Sequence, residues 1–258
     1  MTPVEIDGHT AQVRELLKDA SYKRVSTGIE PYAAVPVTLP NPAAPMTFAY
    51  AFVWAKDAAA THTMWKQIIT GFKAAANAVY PDCALVGSDY HVEDSRAVTL
   101  IQAQFCAKIR RSVRGNLVVL DADVVCNKAC NPFEAEFDVG LTDCKDRWAM
   151  MPFNAGVQFS RDTPEAQLFF DTAMEYACDL PGNFSPWYAN QLGMAFAWHV
   201  LKDKVNIKVF PYEQYNWAPD IYAPTDAYFV HLKGNRKHMQ RDYVLPLLEG
   251  RRGRLIVP

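Results

Sequence analysis

The sequence predicts an α/β fold, a Rossmann-like, mixed but mainly parallel sheet flanked by helices in a single domain. Three observations lead there. TFAYAFVW (47–54) and LVVL (117–120) are apolar runs without alternation, the pattern of strands buried on both faces. Between them lie two stretches with apolar residues at helical spacing, 58–79 and 95–112. A short apolar run, CALVG (83–87), separates those stretches. Strand, helix, strand, helix, strand makes two βαβ units, and such units close onto a parallel sheet.

Taken in order, residues 1–45 stand apart. HTAQVRELLKDA (9–20) puts Val13, Leu16, Leu17 and Ala20 on one helical face, and five prolines between Pro31 and Pro45 then exclude both helix and central strand. A short helix and a proline-rich coil are expected there, ahead of a main domain over 46–246. The helix at 58–79 presents Trp65, Ile68, Ile69, Phe72, Ala76 and Val79 to a core, and that at 95–112 presents Val98, Ile101, Phe105 and Ile109. Further strands are expected at 137–141, 155–159, 206–210 and 227–231, with helices at 163–177 and 187–200, all extending the same sheet. Residues 247–258 read as a basic C-terminal tail.

Composition removes several classes. A chain of 258 residues with 26 Lys+Arg against 28 Asp+Glu, and 50% hydrophobic residues, is neither disordered nor polybasic. Its cations are nonetheless concentrated: residues 231–258 hold seven, Lys233, Arg236, Lys237, Arg241, Arg251, Arg252 and Arg254, which suits an anionic ligand or a solvated end. No apolar run approaches the ~20 residues of a membrane span, and MTPVEIDGHTAQ has neither the basic start nor the apolar stretch of a signal peptide. Six cysteines are too dilute for a disulfide scaffold, so a cytoplasmic location is expected. Cys126, Cys130 and Cys144 form no C-x-x-C pair, and buried free thiols are favoured over zinc.

The most informative stretch is NLVVLDADVV (116–125). Its strand ends in Asp121-Ala122-Asp123, and ligands of open α/β sheets bind outside the carboxyl ends of the strands. On an extended segment residues i and i+2 face one side. The two carboxylates can therefore reach one hard cation, and without a cation they repel. Capping the turn after the strand is the structural use of the same residues. A functional D-x-D fits either a nucleotide-sugar transferase or the nucleophile loop of a haloacid-dehalogenase-like phosphatase. The phosphatase motif opens its domain, whereas two βαβ units precede this one, and no GD-x-x-x-D partner follows.

Three further segments carry a specific resemblance. PFNAGVQFSR (152–161) resembles the FNAGV segment of GT-A fold glycosyltransferases. PWYANQLGMAF (186–196) is similar to their helix bearing an Asp-Gln pair, with Asn190 where Asp is usual. HLKGNRK (231–237), preceded by KVFPYEQYNW (208–217), resembles the H-x-x-G-x-x-K pattern of the retaining, family-eight-like members and the stretch before it. The four motifs with the D-x-D stand in the order of that family across most of the chain after residue 115.

The resemblance implies a metal-dependent transferase that moves a sugar from a nucleoside diphosphate sugar, a UDP-sugar in the first instance, with retention. Asp121, Asp123 and His231 would be the metal ligands; two carboxylates and one imidazole suit Mn²⁺, with Mg²⁺ second. Asp123, Asn154 and Gln191 would be the catalytic group, Gln191 beneath the donor sugar. Lys237, Gly234 and Asn190 would bind the donor, Gly234 by close backbone approach and Lys237 as a charge on the diphosphate. Because Asn190 lacks the usual carboxylate, the hexose preference of the family does not carry over.

Softer candidates are loop residues near a base or ribose, namely Lys56, Asp57 and Asp89, and Lys108 on the second helix; capping and solvated faces are their ordinary uses. Trp187, Tyr188, Tyr215 and Trp217 can stack on a ligand or belong to the core. An inverting variant would take Asp143 or Asp162 as base. Nucleotidyl transfer and a non-catalytic sugar- or nucleotide-binding module are the other readings of the same aspartates. The first wants a glycine-rich basic loop where KDAAATH (56–62) stands. Saccharides, lipid-linked sugars, proteins and nucleic acid all remain open as acceptors.

Overall fold

In the computed structural model, residues 45–93, 95–144, 152–179 and 188–254 are described. The expected helix at 9–20, the proline-rich coil and Trp187 lie outside them. The main sheet has six strands, β1 (Thr47–Ala55), β2 (Ala84–Val92), β3 (Leu117–Asp121), β5 (Val139–Asp143), β6 (Phe153–Ser160) and β7 (Ile207–Phe210), in the order β2-β1-β3-β6-β5-β7. β1 runs parallel to β2 and β3, and β5 runs parallel to β7. Only β6 is reversed, pairing antiparallel with both β3 and β5.

Five longer helices cover the sheet: α1 (His62–Val79), α2 (Val98–Ser112), α3 (Pro164–Cys178), α4 (Ala189–Leu201) and α6 (Gln240–Arg254); α5 (Tyr212–Tyr215) is a single turn. β1 shows how sequence assigns the two faces. Its large rings, Phe48, Tyr50 and Phe52, point into the layer under α1, while Ala49, Ala51 and Ala55 let α2 approach the other face closely. Thr163 caps α3 by accepting from the Ala166 amide, with Pro164 at the first helical position. Gly193 on α4 is fixed by packing, because a Cβ there would stand 2.2 Å from the Ala173 carbonyl oxygen of α3.

Beside shifts of element bounds, the largest being β2, which runs on to Val92 and takes Asp89 out of the expected loop, the structure departs from the sequence reading in two places. The strand expected at 227–231 does not extend the main sheet. It forms β8 (Phe229–His231), which pairs antiparallel with β4 (Val124–Cys126) in a separate two-stranded sheet. β4 is three residues long, too short for periodicity to register. The second departure is α6, which crosses the position where a basic tail was expected to begin. Pro246 lies inside it, and its apolar face is carried by Tyr243, Val244, Leu247 and Leu248 against Ala75 of α1 and Val125 of β4. Pro246 and the nearby arginines hid that face from a composition-based reading.

β6 joins the two halves through Phe159, which is fully buried and meets the rings of Phe133, Phe210, Tyr215 and Phe229 with centroids 4.9–6.2 Å apart. Phe159→Ala should therefore lower the unfolding free energy by about 3–5 kcal/mol, the range for a buried Phe truncated to Ala. Denaturant titration checks it, and a loss under 1 kcal/mol would mean that the reversed strand is not the seam.

Candidate functional site

The parallel strands and the reversed one bring different ends of the sequence to one edge of the sheet. Asp121 closes β3, and Asp123 lies in the two-residue turn leading into β4. β8 pairs with β4 so that His231 stands opposite Val124, and the Leu232 amide donates to the Asp123 carbonyl at 3.0 Å. Because β6 is antiparallel, its first residues, Phe153 and Asn154, arrive at the same edge where β3 and β5 end.

The result is a group in which one ligand atom each of Asp121, Asp123 and His231 lies within 4.8 Å of the others. His231 Nε2 is 3.2 Å from Asp123 Oδ1 and 3.7 Å from Asp121 Oδ2. Lys237 Nζ lies 2.8 Å from Asp123 Oδ2 and 4.7 Å from the centre of the Trp65 ring. It reaches there from the 3₁₀ segment Gly234–Met239, which starts at Gly234 with φ +60°, a conformation that glycine adopts at no steric cost.

Hydrogen bonds settle the tautomer of His231. The Asn216 amide nitrogen donates to Thr142 Oγ1 at 2.9 Å and to Asn154 Oδ1 at 2.7 Å, so its oxygen faces His231 Nδ1 at 2.9 Å as an acceptor. Nδ1 must then carry the proton. In a neutral ring Nε2 turns a lone pair toward two carboxylates, a contact that is unfavourable until a cation or a proton sits between them. Burial lowers the His231 pKa, which favours the neutral ring. Burial and the neighbouring Asp123 carboxylate raise the Asp121 pKa. The Lys237 ammonium, and His231 when its ring is protonated on Nε2, hold Asp123 well below the usual range in spite of its burial. Two hard oxygen donors and one imidazole converging on one point fit a divalent cation.

Around this group is a cavity of about 400 Å³. It brings together eight of the residues expected from sequence: Asp121, Asp123, Asn154, Asn190, Gln191, His231, Gly234 and Lys237. The other candidates are engaged with partners of their own or lie away from the cavity. The Asp57 carboxylate accepts from the amide and hydroxyl of Ser95, fastening one loop to another. Asp89 is exposed on β2, and Lys108 sits in the second half of α2, past the turn whose Gln102 lines the cavity. Lys56 pairs with Glu93 on the surface. Asp162 is at the opposite end of β3, where it accepts from the Gly115 amide and pairs with Arg110 and Arg114, so it cannot act as a base here. Tyr215 belongs to the aromatic core and Trp217 packs beneath α6.

Sequence reasoning missed Trp65, Gln102, Thr142 and Asn216. Asn216 stood in the KVFPYEQYNW stretch, and its full burial beside a histidine was the information lacking. Gln102 looked like an ordinary helix residue, although its Nε2 donates to Asp121 Oδ1 at 3.2 Å.

No family model matches the chain, and no curated protein matches it in sequence. Solved structures do. A glycosyltransferase involved in the glycosylation of the major capsid of PBCV-1 superposes with a TM-score of 0.53 at 15% identity, covering 76% of this chain and 98% of that one. The likeness, together with the sheet order, defines a GT-A-like fold: one mixed α/β domain with a mainly parallel central sheet between helices. No described helix is long and apolar enough to cross a membrane.

Gly156 gives the geometry a test. A Cβ at this position would lie 2.3 Å from His231 Cε1 and Nδ1 and 2.9 Å from Asn154 Oδ1. Gly156→Ala should push the imidazole off Asn216 and cost about 1–3 kcal/mol of stability, as overpacking does. Denaturant unfolding and the His231 ring resonances read both effects; an unshifted imidazole would contradict the placement.

Proposed function

We propose that the protein is a metal-dependent glycosyltransferase that moves a sugar from a nucleoside diphosphate sugar, a UDP-sugar in the first instance, to an acceptor. One observation carries the reading. A D-x-D at the carboxyl end of a parallel strand of a GT-A-like sheet converges with a distant histidine and lysine on one cavity. Likeness of fold to a known glycosyltransferase supports it.

Asp121, Asp123 and His231 would hold the cation, Mn²⁺ or Mg²⁺, which when bound supplies charge neutralisation for a diphosphate leaving group. Lys237 adds a positive charge on the other side of Asp123, and Gly234 leaves open space for phosphate oxygens, since a Cβ there would meet nothing within 4 Å. Asn154 and Gln191 line the same cavity; with the Asn154 oxygen already accepting from Asn216 and Gly156, Asn154 would donate to a sugar hydroxyl through its amide nitrogen, while the Gln191 carboxamide can donate or accept. The motif pattern favours retention, for which no dedicated base is needed, and Asp162 is committed elsewhere.

Two measurements test this. Incubating UDP-, GDP- and other nucleotide sugars with the protein and Mn²⁺ should release the nucleoside diphosphate, and chelator or Asp123→Ala should abolish the release while leaving the fold intact. Release of inorganic phosphate instead would favour the phosphatase reading. In calorimetric titration, Lys237→Ala should weaken binding of the preferred nucleoside diphosphate by about 1–3 kcal/mol, the scale of a charge-assisted hydrogen bond. Unchanged affinity would remove Lys237 from the donor site.

A further inference from the structure

Behind the metal group runs a second line of hydrogen bonds with a fixed direction. At the start of α4 the Gln191 amide donates to Asn190 Oδ1 at 2.8 Å. A backbone N–H cannot accept, so this contact orients the Asn190 side chain: the oxygen faces Gln191 and the amide nitrogen faces outward. That nitrogen donates to Gln102 Oε1 on α2 at 3.1 Å. The orientation of Gln102 is fixed in turn, and its Nε2 donates to Asp121 Oδ1 at 3.2 Å. Asn190 is buried, and both amides line the same cavity as the aspartates.

We propose that Asn190 and Gln102 are positioning residues acting in series, a directional amide relay that turns Asp121 toward the cation. The proposal rests on the metal-binding part of the reading above and adds residues that do not themselves ligate. Direction is the point of the relay. An aspartate at position 190 could accept from Gln191 but could not donate to Gln102. Gln102 would then have to turn its Nε2 toward residue 190 and present Oε1 to Asp121, oxygen against oxygen. The asparagine at 190 and the glutamine at 102 thus make sense only together. Asn190 acts from behind the ligand through Gln102.

The test uses Mn²⁺ alone as probe and electron paramagnetic resonance as readout, so that no substrate is needed. Gln102→Met and Asn190→Leu change neither charge nor much volume. Each should weaken Mn²⁺ binding by about tenfold or more, the usual effect of losing a partner of a metal ligand. The double variant should be no weaker than either single one within about twofold, because residues acting in series are lost only once. Where Asn190→Leu does not fold, Asn190→Ala removes the same donor. Either single variant binding Mn²⁺ like wild type, or losses that multiply in the double variant, would overturn the relay. A wild type that binds no Mn²⁺, or binds it as well after Asp123→Ala, would overturn the metal reading and the relay together.

Discussion

Two carboxylates held within one small group are the constraint on which the rest of this structure turns. At the 4.8 Å that bounds the ligand group, two full charges repel by about 3 kcal/mol at an effective dielectric constant of ~20. Turn geometry does not require that cost, since one aspartate caps a turn as well as two. What surrounds the pair is organised to compensate it. Lys237 lies against Asp123, and Gln102 donates to Asp121. Asn216 in turn holds His231 with its Nε2 lone pair facing the carboxylates. Gln102 is itself held by the buried Asn190, and the remaining unfavourable contact, lone pair against carboxylate, is the one a cation relieves.

Topology makes this possible in a chain whose participants are scattered from Trp65 to Lys237. A uniformly parallel sheet would leave the start of β6 at the far edge. Reversing β6 delivers Asn154 beside the ends of β3 and β5. The small sheet of β4 and β8 then fixes His231 against the turn that carries Asp123, residue by residue rather than by loop contact. α6 closes over β4 and α1, and the 3₁₀ segment before it brings Lys237 onto the Trp65 ring. Backbone pairing, not side-chain reach, sets most of the site's distances.

The legible part of this in the sequence was the part written in local pattern. The βαβ rhythm of 47–120, the D-x-D at a strand end and the H-x-x-G-x-x-K segment could be read because each is a short, contiguous signal. β8 was read as a strand but assigned to the wrong sheet, because a three-residue partner such as β4 leaves no periodicity. The part of α6 from Leu247 on was read as a basic tail, because Pro246 and the arginines around it mask an apolar face. Asp57 is engaged otherwise: a loop carboxylate near a strand end is equally suited to capping Ser95, and does so beside the cavity wall. Gln102 and Asn216 were illegible for a different reason. An amide matters here only through what it touches at long range in sequence, 88 residues for the Gln102–Asn190 bond, and such pairings leave no trace in local composition.

Anomalous diffraction at the manganese edge, from crystals grown with Mn²⁺ and a nucleoside diphosphate, tests the central claim most directly. The account places a peak among Asp121, Asp123 and His231 Nε2, with His231 Nδ1 still on Asn216 and Lys237 drawn from Asp123 toward the phosphates. A diphosphate bound in the cavity with no peak at that point, or with the peak on other residues, would contradict it.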